Sequence, residues 1–237
     1  MKKINIFVSL LFISTTAFSE TPSLFEGAYL GIDLSRVMSS DEKGTESSNG
    51  VPSGYTLDQD YDGSLSLGLK GGYNWLVSDK IVFGLDASFH KYDNDKHNAT
   101  WHVNGVIDTR YPESAKIDNR FDLKAKLGYL LNNSKSLVYL TSGYSRIDIE
   151  RTDQVTVGVG GGQFNGTATN KKDSDGWVIG LGGEHFISDN LSMSAEYLYT
   201  NYGSETVDTA YMYGAGAQQE YDYDDQTLRI GLAYWFK

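Results

Sequence analysis

The chain contains no cysteine and only three prolines in 237 residues. The first absence excludes a disulfide framework, a thiolate metal centre and a lipid-anchoring cysteine, so stability rests on packing and hydrogen bonding alone. Basic residues are scarce as well: 20 Lys and Arg stand against 31 Asp and Glu, a net charge of −11 that becomes −13 once Lys2 and Lys3 are set aside. Such a chain carries no electrostatic footprint for nucleic acid. Beyond the first 19 residues no apolar run reaches the roughly 20 residues that a membrane-crossing helix needs. What is abundant is glycine (26) and tyrosine (17), a balance that suits a strand-rich fold.

The N-terminus reads as an export signal. Lys2 and Lys3 precede an apolar stretch from Ile4 to Ile13, and Ala17 and Ser19 supply small residues for cleavage before Glu20. The expected organisation is therefore a signal peptide at 1–19 and one domain at 20–237.

Within that domain apolar and polar residues alternate with a period of two, the signature of strands that meet an apolar phase on one face. Leu228, Ile230, Leu232, Tyr234 and Phe236 alternate with Arg229, Gly231, Ala233 and Trp235 at the C-terminus. Seven earlier segments follow the same rule, at 26–37, 62–76, 80–92, 119–131, 136–150, 175–188 and from Leu191 to Thr200. In the second, Leu65, Leu67, Leu69, Tyr73 and Trp75 oppose Ser64, Ser66, Gly68, Lys70, Gly72 and Asn74. The segment at 136–150 changes phase: Val138, Leu140 and Tyr144 share one face, whereas Ile147 and Ile149 fall on the other, and a bulge near Ser145 would reconcile them.

The predicted fold is all-β, an eight-stranded antiparallel transmembrane β-barrel. Short turns at 77–79, 132–135 and 188–190 alternate with connections at 38–61, 93–118, 151–174 and 204–224. An even strand number puts both termini in the periplasm and the long connections, read here as loops, on the extracellular side. Closure follows because an open edge would strand unpaired backbone groups in hydrocarbon. A soluble β-sandwich also predicts alternation, but not aromatic residues bunched toward strand ends, as at Trp75, Tyr129, Trp177, Tyr197 and Tyr234.

The run GLGGEHFISDNLSMSAEYLYTNYG at 180–203, followed by RIGLAYWF at 229–236, resembles the small outer-membrane barrels of the opacity-protein and outer-membrane immunogenic protein type, related to the OmpA transmembrane domain. In that family a Gly-x-Gly-x-Glu strand and an Ala-Glu-Tyr-x-Tyr strand recur as the sixth and seventh, which map onto Gly180, Gly182 and Glu184 and onto Ala195, Glu196, Tyr197 and Tyr199. The resemblance implies insertion by the barrel assembly machinery through Gly231, Tyr234 and Phe236, with Lys237 an addition to the family's aromatic ending. It also implies a monomer in the bacterial outer membrane that contacts lipid and lipopolysaccharide. Its role would be envelope integrity, adhesion or surface antigenicity through the loops, with a host or surface ligand as partner.

Eight strands enclose a space that side chains fill. The inward set holds Asp33, Asp86, Asp122, Glu184 and Glu196 with Lys70, Lys124, Lys126 and Arg229, so an ion-pair plug is expected and a narrow solute channel is the alternative. A lipid-modifying enzyme is a second alternative, but no outward Ser/His pair is visible: His185 and Ser188 are three apart and oppose each other across a strand. His90, His97 and His102 read as residues on or beside the second long loop, without the ligand spacing of a metal site. Asp58, Asp60, Asp62 and Gly63 open like a calcium loop, but its twelfth position is Leu69. With Asp222, Asp224 and Asp225 they read as a solvated acidic rim. Tyr55, Tyr61, Tyr111, Tyr211, Tyr213, Tyr221 and Tyr223 read as loop contact residues. The Gly158–Gly162 run lacks the Lys-Ser/Thr of a phosphate cradle and reads as a loop tip. No catalytic, cofactor-binding or metal residue is assigned.

Overall fold

The computed structural model describes residues 23–93, 95–107, 113–131, 135–159, 162–208 and 217–236; the expected export segment lies outside them. No helix among the described residues is long and apolar enough to cross a membrane. The strands are β1 (Gly27–Ser48), β2 (Val51–Gln59), β3 (Leu65–Ser78), β4 (Ile81–Tyr92), β5 (His97–Val103), β6 (Val106–Ile107), β7 (Glu113–Leu130), β8 (Ser136–Val159), β9 (Gly162–Phe186), β10 (Leu191–Asp208) and β11 (Ala217–Phe236).

β11, β10, β9, β8, β7, β4, β3 and β1 form an antiparallel ring, closed by β1 on β11. The alternation read from sequence sets its register. Ile32 lies between Leu69 on β3 and Leu232 on β11, an outward apolar row, and the next row in joins Asp33 to Gly68 and Gly231. Leu30, Ile32, Leu34, Leu67, Leu69, Ile230 and Leu232 are exposed, as lipid contact requires, while Asp33 and Arg229 are buried. A slip of one residue would send Asp33 into hydrocarbon, which is why the pattern tolerates a single pairing.

The four long connections are not loops in the main. The wall of the barrel continues through them as a second tier. β1 pairs with β3 over Gly27–Arg36 and then, on the same edge, with β2 over Glu42–Ser48. β7 likewise pairs with β4 over Asn119–Tyr129 and with β5 over Glu113–Ala115, and β2 pairs with β5. Thus β2 prolongs β3 and β5 prolongs β4. The β8–β9 hairpin runs on to Val159↔Gly162, and β10 pairs with β11 up to Asp208↔Gln218.

Two hairpin turns of Asn-Gly sequence shape the upper tier. Asn49-Gly50 and Asn104-Gly105 each join paired residues, Ser48↔Val51 and Val103↔Val106, and all four turn residues have positive φ (52°, 77°, 51° and 81°). Asn-Gly with both φ positive is the turn whose twist matches a two-residue hairpin.

The bulge expected near Ser145 is absent. β8 runs in unbroken register with β9 from Ser136↔His185 onward, and the irregularity lies on β7, between Ile117 and Asn119. Ile147 and Ile149 are buried because the interior turns apolar at that height, so the change of phase marks a change of environment, not of register. Shifts between Val37 and Ser39 on β1 and between Asn201 and Ser204 on β10 accompany the junction between tiers.

Candidate functional site: the barrel interior and its rims

Three layers fill the lumen. At the periplasmic end Phe25, Phe186 and Trp235 pack together with ring centroids 4.7 to 5.9 Å apart, over Val82, Leu130 and Leu137. Trp235 is fully buried, and its indole N–H donates to Ser192 Oγ at 2.9 Å, which satisfies its one polar atom.

Above this floor lies the charge layer. Lys70 pairs with Asp33 at 2.9 Å, Lys124 with Glu196 at 2.6 Å and Asp86 at 3.8 Å, Lys126 with Glu184 at 3.7 Å, and Arg229 with Asp122 at 2.5 Å. All nine inward charges expected from sequence are here. Arg120 and Asp225 join them: Arg120 Nε reaches Asp122 Oδ1 at 2.9 Å, its Nη1 reaches Asp225 Oδ1 at 3.1 Å, and its Nη2 donates to Thr200 Oγ1 at 2.6 Å. Arg120 thereby links β7 to β10 and β11, and Arg229 links β11 to β7, the paired and hydrogen-bonded state in which buried charge is tolerated. The space enclosed by Tyr29, Asp33, Asp86, Lys124, Glu184 and Arg229 amounts to about 20 Å³. That is room for about one water molecule.

The third layer is a lid of Tyr61, Tyr202, Tyr223, Ile147, Ile149 and Val37, all buried. Tyr202 and Tyr223 stack at 5.2 Å, and Tyr61 meets Tyr223 edge-on at 5.3 Å. Higher still, Leu57, Trp101 and Tyr221 fill the upper tier. Trp101 donates its indole N–H to Glu113 at 2.8 Å, and the Arg151 guanidinium lies 4.2 Å from the Tyr221 ring while pairing with Glu42. Burial pushes the Tyr61 hydroxyl up, and the adjacent Glu42 carboxylate adds to this; the hydroxyl keeps its proton and donates to Glu42 Oε2 at 2.5 Å.

Several expectations change place. Tyr61, Tyr221, Tyr223 and Asp225, read as rim or loop residues, point into the barrel; Tyr111, Tyr211 and Tyr213 lie outside the described residues. His90 is fully buried, with Nδ1 3.3 Å from Ser66 Oγ and Nε2 3.8 Å from Asp33. His97 holds Ser64 Oγ at 2.9 Å, and His102, five residues on and so on the other face of β5, approaches Asp58 at 3.8 Å. The calcium-like run starts at Asp58 within β2 and ends in a turn, where Asp62 Oδ1 accepts the Ser40 N–H at 2.7 Å and Gly63 takes φ +87°. Among the described residues no group of three His, Asp or Glu side chains is arranged to hold a metal. An outward Ser/His pair, unseen in sequence, does exist: Ser136 Oγ lies 2.8 Å from His185 Nδ1 at the periplasmic rim, across the β8–β9 ladder. Strand pairing brought it together, and no spacing within one strand could have shown it.

Outward apolar residues end at Leu65, Phe89, Phe121, Tyr144 and Trp177, and the next outward positions are charged or polar, including Lys91, Asn119, Arg146 and Asp175. Aromatic and charged residues at this level mark the outer membrane–water boundary.

A closed ring with a lipid-facing apolar belt, a filled lumen and short turns at one end defines an integral outer-membrane β-barrel. The chain matches the outer membrane protein beta-barrel domain family over residues 6–236 and belongs to it. It is 31% identical over 182 residues to the 25 kDa outer-membrane immunogenic protein of Brucella canis, covering 71% of this chain and 76% of that one. The 31 kDa outer-membrane immunogenic protein of Brucella melitensis is 25% identical over 174 residues, 71% of this chain, and the match spans only 65% of the relative's length. Among solved structures OprG of Pseudomonas aeruginosa superimposes with a TM-score of 0.62 at 13% identity, over 89% of this chain and 96% of that one, a likeness of fold. The protein resides in the bacterial outer membrane.

Proposed function

We propose that the protein is a closed, non-conducting outer-membrane scaffold whose tall extracellular tier presents a rigid contact surface, serving envelope integrity and surface interaction as adhesin or antigen. The carrying observation is the sequence of layers along the axis: an aromatic floor, a paired charge network with about 20 Å³ of free space, and a tyrosine–isoleucine lid. A conducting path would have to open both apolar layers. The naming of the relatives as immunogenic proteins supports the surface reading, since antibodies meet what projects from the cell. In this reading residues 1–19 direct export, the assembly machinery inserts residues 20–237, lipopolysaccharide surrounds the outer belt, and the barrel acts as a monomer.

The test is planar-bilayer conductance of the purified barrel, after a heat-modifiable gel shift verifies folding. A silent bilayer is expected. Reproducible unitary steps would overturn the scaffold reading and make the charge layer a solute path. The Ser136–His185 pair is not counted as catalytic, and an unchanged lipid A and phospholipid mass profile on expression is expected; a new acylation or deacylation product would reverse that.

A further inference from the structure

The outer face of β4, β7, β8 and β9 is not uniformly filled. An apolar groove lined by Ile81, Leu127, Tyr129, Val138, Leu140 and Leu181 runs down the periplasmic half of the wall. Its register explains it. The outward row Ile81–Tyr129–Val138 ends on Gly183, opposite Ala195, so the ladder steps from bulky residues to two of the smallest. A Cβ built at Gly183 would find only the Leu137 carbonyl oxygen, at 3.9 Å.

The groove opens upward into lipid and downward onto a polar rim. There Lys80, in the turn between β3 and β4, has no ion-pair partner among the described residues; its ammonium leans over Tyr129, 5.9 Å from the ring centroid, although Asp79 is its chain neighbour. On the other side of the groove stand Ser136 and His185, hydrogen-bonded to each other at 2.8 Å, with Lys135 beside them and Asp189 in the next turn. A cation snorkelling at the headgroup level above an apolar slot has the form of a phosphate and acyl-chain receptor.

We infer that this groove holds one phospholipid of the periplasmic leaflet, an anionic glycerophospholipid whose phosphate meets Lys80 and the Ser136–His185 pair and whose acyl chain lies along Val138, Leu140 and Leu181. Charge complementarity selects lipid over a second copy of the chain: the lining is apolar throughout its membrane length, and Lys80, the cation that leans over its periplasmic end, has no ion-pair partner among the described residues although Asp79 and Asp189 stand at the same rim.

Native mass spectrometry of the barrel, released from vesicles of equal phosphatidylglycerol and phosphatidylcholine, tests this. The wild-type protein is expected to retain one phosphatidylglycerol several-fold more often than phosphatidylcholine. Lys80→Ala, at an exposed turn where folding is not at stake, should erase the preference, and Gly183→Leu should abolish retention of either lipid by filling the slot. Lys43→Ala in the upper tier should match the wild type. Equal retention of the two lipids, unchanged retention in Lys80→Ala, or a dimer lost in Gly183→Leu would each overturn the inference, the last in favour of a second copy.

Discussion

Arg151 on β8 and Glu42 on β1, 109 residues apart in the chain, form a buried ion pair across the lumen of the upper tier. Burial opposes the Arg151 charge, and the Glu42 carboxylate outweighs it, holding the guanidinium above its ordinary range. Because β1 and β8 lie on distant parts of the ring, the pair braces opposite walls where no bilayer supports them. Arg151→Leu leaves Glu42 buried with only Tyr61 as donor, a change that costs about 3–5 kcal/mol when a buried pair loses one partner. Limited proteolysis of whole cells should then cut the upper tier while the membrane-embedded barrel keeps its heat-modifiable shift. Adding Glu42→Met to Arg151→Leu should restore resistance, since an apolar pair of similar volume needs no counter-charge.

Arg120 plays the corresponding part inside the membrane tier, where it holds both Asp122 and Asp225. Arg120→Leu should lower resistance to urea unfolding in vesicles by about 3–5 kcal/mol, while Asp86→Asn, whose Lys124 partner keeps Glu196, should cost much less. If the two variants unfold at the same urea concentration, the charge layer is not a graded network centred on Arg120.

The membrane tier was legible because lipid enforces its pattern. Each outward apolar residue between Leu65 and Trp75 has a polar partner inside, so strand, face and register all follow from a period of two. The upper tier was not, because both its faces meet mixed surroundings: Glu42, Gly44 and Leu57 point inward, and Asp41, Lys43 and Thr56 outward, with no apolar stripe to signal either. The Asn-Gly pairs at 49–50 and 104–105 were the available clue to hairpins in those stretches. Arg120 and Asp225 could have been placed inside by continuing the alternation one step from Asp122 and two from Arg229. The Ser136–His185 contact and the groove depend on which strands are neighbours, which no single strand encodes.

Like charges also face each other on the outer wall of the upper tier. Asp41 and Asp224 sit directly opposite each other on β1 and β11. Partial burial raises the Asp224 carboxyl, and Asp41 raises it further. An acid whose folded pKa lies above its unfolded value binds more protons when folded, so its ionisation weakens the fold as pH rises through the carboxylate range, upward from about 4. Asp224→Asn should therefore stabilise the tier at neutral pH and give no gain near pH 3. Proteolysis midpoints at the two pH values measure this, and a gain that is larger in acid would contradict the assignment.

Neighbouring glycines on β9 provide the sharpest check on which face is which. Gly182 points into the lumen, where an added Cβ would strike the Tyr139 ring, with the hydroxyl oxygen at 2.6 Å and a ring carbon at 2.7 Å. Gly183 points into lipid, and an added Cβ meets nothing closer than 3.9 Å. Tyr139 cannot retreat easily, since it packs in the floor with Leu137 and Trp235 and lies 5.0 Å beneath the Lys126 ammonium. Gly182→Ala should thus cost about 1–3 kcal/mol through overpacking and reduce the folded fraction on refolding. Gly183→Ala should leave it unchanged or raise it slightly, by limiting the unfolded chain. The two substitutions differ by one position and add the same methyl group, so an equal effect of both would mean that β9 is not held in the register that places Glu184 opposite Ser194 and Trp177 in the outer belt.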